Sequence, residues 1–238
     1  MNHPKLVSQA EWLTARKALL AKEKTFTRER DALSAARRDL PAVKVEKTYV
    51  FDGPSGKQTL ADLFAGKRQL VTYHFMFDPS WSEGCKSCSF IAESFEGMVP
   101  HLAARDVAFV AISRAPLPKL LAFQQRMGWK FPWFSSAETD FNHDLGVTFG
   151  SDDRTDGKAG YNYGSVQVGL SEAPGLSVFL REDGTSGDVL HTYSTYGRGL
   201  DALMTAYTYL DLTPLGRQEG EPSSGMAWLR HHDKYAGA

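Results

Sequence analysis

The sequence predicts an α/β fold in which a mixed central sheet carries helices on both faces. Two apolar, β-rich segments, 69–77 and 107–113, have the composition of buried strands. Apolar residues between them recur at helical spacing, which indicates a helix after the first strand. Two alternating segments at 175–182 and 188–195, separated by a turn sequence, indicate a hairpin. The order strand, helix, strand, helix, hairpin, helix is typical of such a sheet.

The first element is one long helix over residues 8–38. Ser8 followed by Glu11 fits a capping box, and no Gly or Pro intervenes before Pro41. We interpret it as an amphipathic helix docked on its own domain; pairing with a second subunit, giving a homo-oligomer, is the alternative. Acidic residues interleaved on the basic face argue against nucleic-acid binding. The apolar stripe consists of Trp12, Leu19, Phe26 and Leu33, seven residues apart, widened by Leu13, Ala15, Leu20 and Ala36.

After Pro41 the elements become shorter. Alternation predicts one strand over 43–51, followed by a hairpin-type turn. Residues 85–104 are predicted as a single helix. Residues 150–175, rich in Gly, Asp and Ser, form either an excursion or a mobile loop. The remaining predicted elements are a helical turn at 59–64, a helix at 117–128 ended by Gly128, an extended piece at 131–136, a short helix at 137–147 and a helix at 199–212.

Composition excludes several classes of function. The 238 residues are 42% hydrophobic, enough for a sizeable core, and their net charge is −1. Such a balance offers no bulk attraction for nucleic acid or an acidic membrane. No apolar run approaches the roughly 20 residues that span a bilayer, and the N-terminus lacks the pattern of a secretory signal. We therefore expect a cytoplasmic protein without a nucleic-acid or membrane partner.

The only two cysteines, Cys85 and Cys88, form a C-x-x-C motif where the strand at 69–77 has ended and a helix begins. Three residues along a helix place both side chains on one face, close enough for a disulfide. The first cysteine meets the unpaired N–H groups and the positive end of the helix dipole, which favour thiolate over thiol. We therefore predict thiol–disulfide exchange, with Cys85 as the exposed nucleophile and Cys88 as the more buried resolving cysteine.

The charged residues beside Cys85 and Cys88 do not determine the net change in cysteine acidity. Lys86 adds a positive charge that Glu83 opposes, and with Ser87 the spacer carries no proline. A zinc site requires more ligands, and the adjacent His231 and His232 are weak candidates for them. Two unreactive cysteines at a helix start are a further alternative. We expect no metal and no cofactor, only a disulfide substrate, protein or small molecule, and an external thiol reductant.

Five runs of the sequence, one of which contains the C-x-x-C motif, carry a resemblance to a known family: YVFDGPSGKQTLADLFAGKRQL, FMFDPSWSEGCKSCSF, HTYSTYGRGLD, YLDLTPLGR and MAWLRHHDKY. They resemble a largely uncharacterised bacterial family of thioredoxin-like proteins, described as predicted dithiol–disulfide oxidoreductases or as a domain of unknown function. The resemblance covers nearly the whole chain and implies a thioredoxin fold of the peroxiredoxin-like kind. We divide the chain into an N-terminal helical arm (1–41), a thioredoxin-like domain (42–214) and a C-terminal tail packing on that domain (215–238).

The resemblance also implies residues that line the site. Thioredoxin-like folds carry a proline, usually cis, just before the strand that faces the active cysteines, and Pro174 occupies that place. An ordinary trans turn proline is an equal alternative. Trp81 is expected either to wall the site or to anchor the core. Ser82, Lys86 and Ser87 complete the expected lining.

Peroxiredoxins supply the main alternative function, that of a thiol peroxidase. In peroxiredoxins a Thr or Ser lies three residues before the peroxidatic cysteine, and Ser82 has that position relative to Cys85. Their earlier proline corresponds to Pro79, which lies one residue too close to the cysteine. EAPG at 172–175 replaces the expected arginine, which would stabilise charge during peroxide activation. Arg114 is a candidate spatial substitute, although nothing in the sequence places it there. A non-catalytic scaffold that self-associates through the long helix is the alternative from another class.

Other candidates receive simpler interpretations. His74 is expected to be a hydrogen-bonded core histidine rather than a catalytic base. Tyr193, Tyr196 and Arg198 precede the last helix, where they either contact substrate or serve packing and capping. Residues 152–163 lack the carboxylates that a calcium loop requires at two of its positions.

Overall fold

The central sheet has eight strands in a computed structural model that describes residues 4–181, 187–220 and 225–237. The helices are α1 (Gln9–Arg38), α2 (Lys86–Ala92), α3 (Phe95–Ala103), α4 (Leu117–Arg126), α5 (Phe141–Asp144) and α6 (Thr205–Leu210). The strands are β1 (Val43–Lys44), β2 (Val50–Gly53), β3 (Gly56–Thr59), β4 (Gln69–His74), β5 (Val107–Ser113), β6 (Trp133–Ser135), β7 (Arg154–Thr155), β8 (Lys158–Tyr161), β9 (Val166–Val168), β10 (Gly175–Arg181) and β11 (Val189–Tyr196). The central sheet runs β1-β11-β10-β4-β5-β6-β2-β3.

Strand β4 lies near the middle of this sheet. It pairs in parallel with β5, Gln69 facing Val107, and antiparallel with β10, which in turn pairs antiparallel with β11. Helix α2 follows β4, so the chain has the predicted thioredoxin-like mixed sheet. The turn predicted between β10 and β11 at 183–187 lies largely outside the described residues, which omit 182–186.

Alternation along β4 sends successive side chains to two separate cores. Tyr73 packs on the face that α2, α3, α4 and α6 cover, where Phe95 and Trp133 are fully buried. Leu70 packs on the other face, under α5 and the 3-10 helix Asp62–Phe64. Helices therefore cover both faces, as the sequence predicts.

The prediction of one strand over 43–51 is wrong. Strands β1 and β2 lie near opposite edges of the sheet, so residues 45–49 cross one face between them. Val45 and Tyr49 pack into the core on that face, and the Lys47 ammonium donates to Asp140 and Asp144 at 2.7 Å. Residues 43–51 alternate because one side of this segment is buried where it crosses the sheet, and not because the segment is paired along its length as a strand.

Two helices predicted as single are divided in the structure. The helix at 85–104 breaks at Glu93–Ser94, where the Ser94 hydroxyl donates to the carbonyl of Ile91 at 2.9 Å and competes with helical pairing. The helix at 199–212 becomes a 3-10 helix over Gly197–Leu203 followed by α6.

Residues 150–175 contain a small sheet rather than an open loop. Strands β7, β8 and β9 form it, and Asp156 and Gly157 turn between the first two with positive φ. Its own core joins Val147, Phe149 and Tyr161 with Tyr196 of the central sheet. The excursion is thus anchored beside the carboxyl end of β11.

Helix α1 has the predicted capping box: the Ser8 N–H donates to the Glu11 carboxylate at 2.9 Å, and the Glu11 N–H to the Ser8 hydroxyl at 3.3 Å. The interpretation that it docks on its own domain is wrong, because none of its residues is buried and the large apolar residues of its stripe are exposed. Trp12 is 52% and Phe26 65% exposed. Among the described residues, no helix has the length and apolarity needed to cross a membrane.

Candidate functional site

The two cysteines lie at the start of α2, directly beyond the carboxyl end of β4. Cys85 is the N-cap residue, with φ −58° and ψ 129°, and its N–H donates to the carbonyl of Met76 at 3.0 Å. Its side chain is partly exposed, whereas Cys88, one turn into the helix, is 1% exposed. The Met76 N–H in turn donates to the Cys88 sulfur at 3.4 Å. Both cysteines are free thiols, one accessible and one enclosed.

The two thiols differ in acidity. The pKa of Cys85 is lowered to about 6, first by the Cys88 thiol that faces it, then by the N–H groups of Cys88 and Ser87 and the Ser87 hydroxyl, against the opposing effect of burial. The pKa of Cys88 is raised, chiefly by burial and then by Cys85. At neutral pH the proton of the pair therefore lies on Cys88, and Cys85 is the thiolate.

The sequence left open how the charges of Lys86 and Glu83 affect the acidity of Cys85. In the structure both side chains bind other partners. Lys86 donates to the carbonyl of Ala227 at 3.3 Å. Glu83 forms ion pairs with Arg126 at 2.6 Å and with Lys234 at 2.7 Å, and the hydrogen bond from Lys234 is the largest cause of its lowered pKa. Neither charge appears among the principal causes of the Cys85 shift, so the helix start and the second thiol set it.

The loop before Cys85 is fixed by two residues that the sequence analysis did not single out for this role. Gly84 is buried where an added methyl would lie 2.8 Å from Phe75 and 2.9 Å from Phe123. The buried His231 donates from Nε2 to the Gly84 carbonyl at 2.8 Å and packs edge-on against Phe123. Because 147 residues separate the partners, no local pattern could have found this contact. In the described part of the chain, no cluster of three metal-ligating side chains occurs.

Two tyrosines complete the inner wall of the site. Tyr73 is fully buried, and among the described residues its hydroxyl has no hydrogen-bond partner of good geometry. Its pKa is raised, first by burial and then by the adjacent Cys88. Tyr161, from β8 of the small sheet, donates to the Pro174 carbonyl at 2.5 Å and accepts from the Gly197 N–H at 2.6 Å. The excursion at 150–175 thus holds together the two segments opposite the cysteines.

The expected lining residues are only partly brought together. Ser87 and Pro174 line the same pocket as Cys88, and the peptide bond before Pro174 is trans, since the described residues contain no cis bond. Trp81 is half-buried and packs on the core cluster that also contacts Cys85. Ser82 is exposed. Neither Trp81 nor Ser82 lines the pocket that Cys88 lines.

The residues before the last helix separate in the structure. Tyr193 packs against Arg37, whose guanidinium lies 5.6 Å from the ring centre. Tyr196 is buried and donates to the Leu145 carbonyl at 2.8 Å. Arg198 lines the pocket beside Cys88, where it pairs with Asp201 at 2.7 Å. Only Arg198 therefore reaches the candidate site.

Two further candidates are occupied elsewhere. His74 is buried on the other face of the sheet, where its Nε2 lies 2.9 Å from the Ser177 hydroxyl and burial lowers its pKa to about 3, so it is a neutral core residue. Arg114 donates to Glu172 at 2.6 Å and to Asp78 at 2.9 Å. Its guanidinium is committed to these two carboxylates.

The profile of a family described as bacterial proteins of unknown function (DUF899) matches residues 1–235. The chain belongs to this family. The resemblance read from the sequence is thereby confirmed. A comparison with curated proteins found no match.

Several solved structures are similar to the chain. Peroxidoxin BcpB of Mycobacterium tuberculosis is 15% identical, with a TM-score of 0.43 over 70% of this chain and 94% of that one. Peroxiredoxin Q of Xanthomonas campestris is 18% identical, with a TM-score of 0.46 over 71% and 96%. The mitochondrial 2-Cys peroxiredoxin of Plasmodium falciparum is 12% identical, with a TM-score of 0.42 over 71% and 92%. At such identities, similarity carries no information about activity.

Proposed function

We propose that the protein is a thiol–disulfide oxidoreductase with Cys85 as nucleophile and Cys88 as resolving cysteine. One observation carries the proposal: a partly exposed thiol with a pKa of about 6 at a helix start, backed one turn later by a buried thiol with a raised pKa. A thiolate is the species that attacks a disulfide, so the pair divides the two steps of exchange between an accessible and an enclosed sulfur.

The proposed reaction balances without a cofactor. The Cys85 thiolate attacks one sulfur of the substrate disulfide, the substrate S–S bond breaks, and one substrate thiolate leaves. Cys88 then loses its proton and attacks the Cys85 sulfur, forming the internal disulfide and releasing the second substrate thiol. The substrate gains two electrons and the protein dithiol loses two. An external thiol reductant returns the protein to its dithiol state.

Cys88 needs help in the second step because its thiolate forms out of water. The Met76 N–H already donates to its sulfur, and the unpaired Tyr73 hydroxyl is a buried donor beside it. A buried hydroxyl without a partner costs about 1–3 kcal/mol, which a hydrogen bond to the developing thiolate would recover. We assign Tyr73 this stabilising role.

Redox titration against glutathione buffers tests the proposal. The reduced and oxidised protein, separated by thiol alkylation and mass spectrometry, should interconvert in one reversible two-electron step. Cys85→Ser should abolish exchange, and Cys88→Ser should accumulate a mixed disulfide on Cys85. If mild oxidant never links the two cysteines, the function fails; if adducts accumulate on Cys88 in the wild type, the roles are reversed.

The peroxidase alternative receives no support from the arrangement of side chains. Arg114 directs its hydrogen bonds to Asp78 and Glu172, and Ser82 is exposed outside the pocket. Rapid consumption of hydrogen peroxide that disappears in Cys85→Ser would restore that alternative. The alternative of a non-catalytic scaffold requires Cys85 and Cys88 to be unreactive, and the redox titration against glutathione buffers tests it.

A further inference from the structure

A pocket of about 240 Å³ opens beside Cys88 between α2, Pro174 and the segment before α6. Almost all of its surface is apolar. Three methionines contribute to the wall, and methionine side chains adapt to ligands of different shape. The apolar wall consists of Met76, Ile91, Leu200, Met204 and Met226.

The pocket adjoins the proposed nucleophile. Ser87 and Cys88 both line it, and both direct hydrogen-bonding groups at the Cys85 sulfur. Met226 comes from the C-terminal tail, which Lys86 holds beside the motif through the carbonyl of Ala227. A group bound in the pocket would therefore lie next to a sulfur attached to Cys85.

Most polar side chains of the pocket already face a polar neighbour in the chain. Ser87 and Cys88 face Cys85, and the Tyr73 hydroxyl adjoins the Cys88 sulfur. Arg198 and Asp201 pair with each other at 2.7 Å, which cancels the two charges at the rim. The Tyr73 hydroxyl has no hydrogen-bond partner among the described residues, but one neutral hydroxyl does not offset the loss of water around a charged ligand. Burial of apolar surface is therefore the main attraction that this pocket offers.

We propose that this pocket binds the apolar arm of an uncharged, low-molecular-weight disulfide while Cys85 attacks its sulfur. The assignment rests on the proposed function and adds the substrate class. At about 240 Å³ the pocket lies below the roughly 300–1,000 Å³ of sites for drug-sized ligands, so it fits a short alkyl or aryl group. Exchange oxidises the dithiol to the internal disulfide and releases two molecules of the small thiol.

Stopped-flow oxidation of the reduced protein by a series of symmetric disulfides tests the proposal. The probes are diethyl, dipropyl, dibutyl and dihexyl disulfide, with bis(2-hydroxyethyl) disulfide and glutathione disulfide as polar comparisons. Each rate constant is divided by that of dithiothreitol with the same probe, which removes intrinsic reactivity. We expect the corrected rate to rise about tenfold from ethyl to butyl and then to level off once the pocket is filled.

A pair of matched variants locates the effect. Met226→Gln places an amide in the pocket wall and should lower the ratio of butyl to hydroxyethyl rates at least about threefold. Met98→Gln makes the same change at a half-buried methionine of α3 outside the pocket and should leave the ratio unchanged. The chain-length series in the wild-type protein does not depend on either variant folding.

The outcomes separate the substrate class from the function. If no probe oxidises Cys85, the oxidoreductase function fails and the substrate class with it. If all probes react but the corrected rate is independent of chain length, or glutathione disulfide is fastest, the function stands and the apolar site is refuted. A peptide disulfide flanked by leucines that outpaces dibutyl disulfide would assign the pocket to a protein side chain and overturn the small-molecule class. A chain-length effect that Met226→Gln leaves intact would place the binding elsewhere.

Discussion

The low pKa of Cys85 should depend on the hydrogen-bond donor that Cys88 supplies. The Cys88 thiol is the largest cause of the shift to about 6, and the N–H groups of the helix start contribute less. Cys88→Ala removes this donor, whereas Cys88→Ser keeps a hydroxyl in its place. The two variants therefore differ in one interaction with the Cys85 sulfur, while both remove the resolving thiol.

The size of the effect follows from the energy of one hydrogen bond to a charged group, about 1.5–3 kcal/mol. At 1.36 kcal/mol per pKa unit, its loss raises the pKa of Cys85 by about 1–2 units, to about 7–8 in Cys88→Ala. In Cys88→Ser the pKa should stay within about half a unit of the wild type, because the hydroxyl still donates.

The assay is the pH dependence of iodoacetamide alkylation of Cys85, followed by mass spectrometry between pH 5 and pH 10. The midpoint is the quantity to compare. The rate at one pH is ambiguous, because a less acidic thiol is less ionised but more nucleophilic once ionised, by about threefold per pKa unit. Equal midpoints in the alanine and serine variants, or a wild-type midpoint at or above 8, would refute the reasoning.

Three further predictions concern the support of the site. Gly84→Ala should lower the free energy of unfolding by about 1–3 kcal/mol in urea, because the methyl meets two phenyl rings; Gly97→Ala in α3, where the methyl meets nothing, should instead raise it by up to about 1 kcal/mol. Burial raises the pKa of Glu172 to about 7, above its ordinary 4.5, so its contribution to stability is present below about pH 4.5 and is lost as pH rises through 7. The melting temperature should fall further between pH 5 and pH 8 in the wild type than in Glu172→Gln. An equal fall in the two proteins would exclude this carboxyl as the source of the pH dependence. Tyr161→Phe leaves the Pro174 carbonyl and a backbone N–H unpaired, so it should cost about 1–3 kcal/mol and slow disulfide exchange; unchanged urea melts would contradict that role.

Local patterns in the sequence were enough for much of the fold. The strand over 107–113 and the cap of α1 agree with prediction to the residue, because buried apolar strands and capping boxes are encoded within a few neighbouring positions. The prediction failed where contacts between distant residues determine the structure. At residues 43–51 the alternation indicates that one face is buried but does not indicate which strand, if any, the segment pairs with. The unburied α1 is a second case, since an apolar stripe carries no record of what covers it.

The sequence by itself determined that two thiols stand at a helix start after a buried strand, because spacing and order are local properties of the chain. Only the tertiary structure decided how they are held and what surrounds them. His231 reaches the loop from the tail, and Tyr161 comes from the small sheet. The Tyr73 hydroxyl lies beside Cys88 with no hydrogen-bond partner in the part of the chain that the structure describes. The His231 contact joins positions 147 residues apart, and Tyr161 bonds to two separate segments, 13 and 36 residues further along the chain. The position of Tyr73 depends on which face of β4 is enclosed, and no short-range pattern specifies any of these contacts.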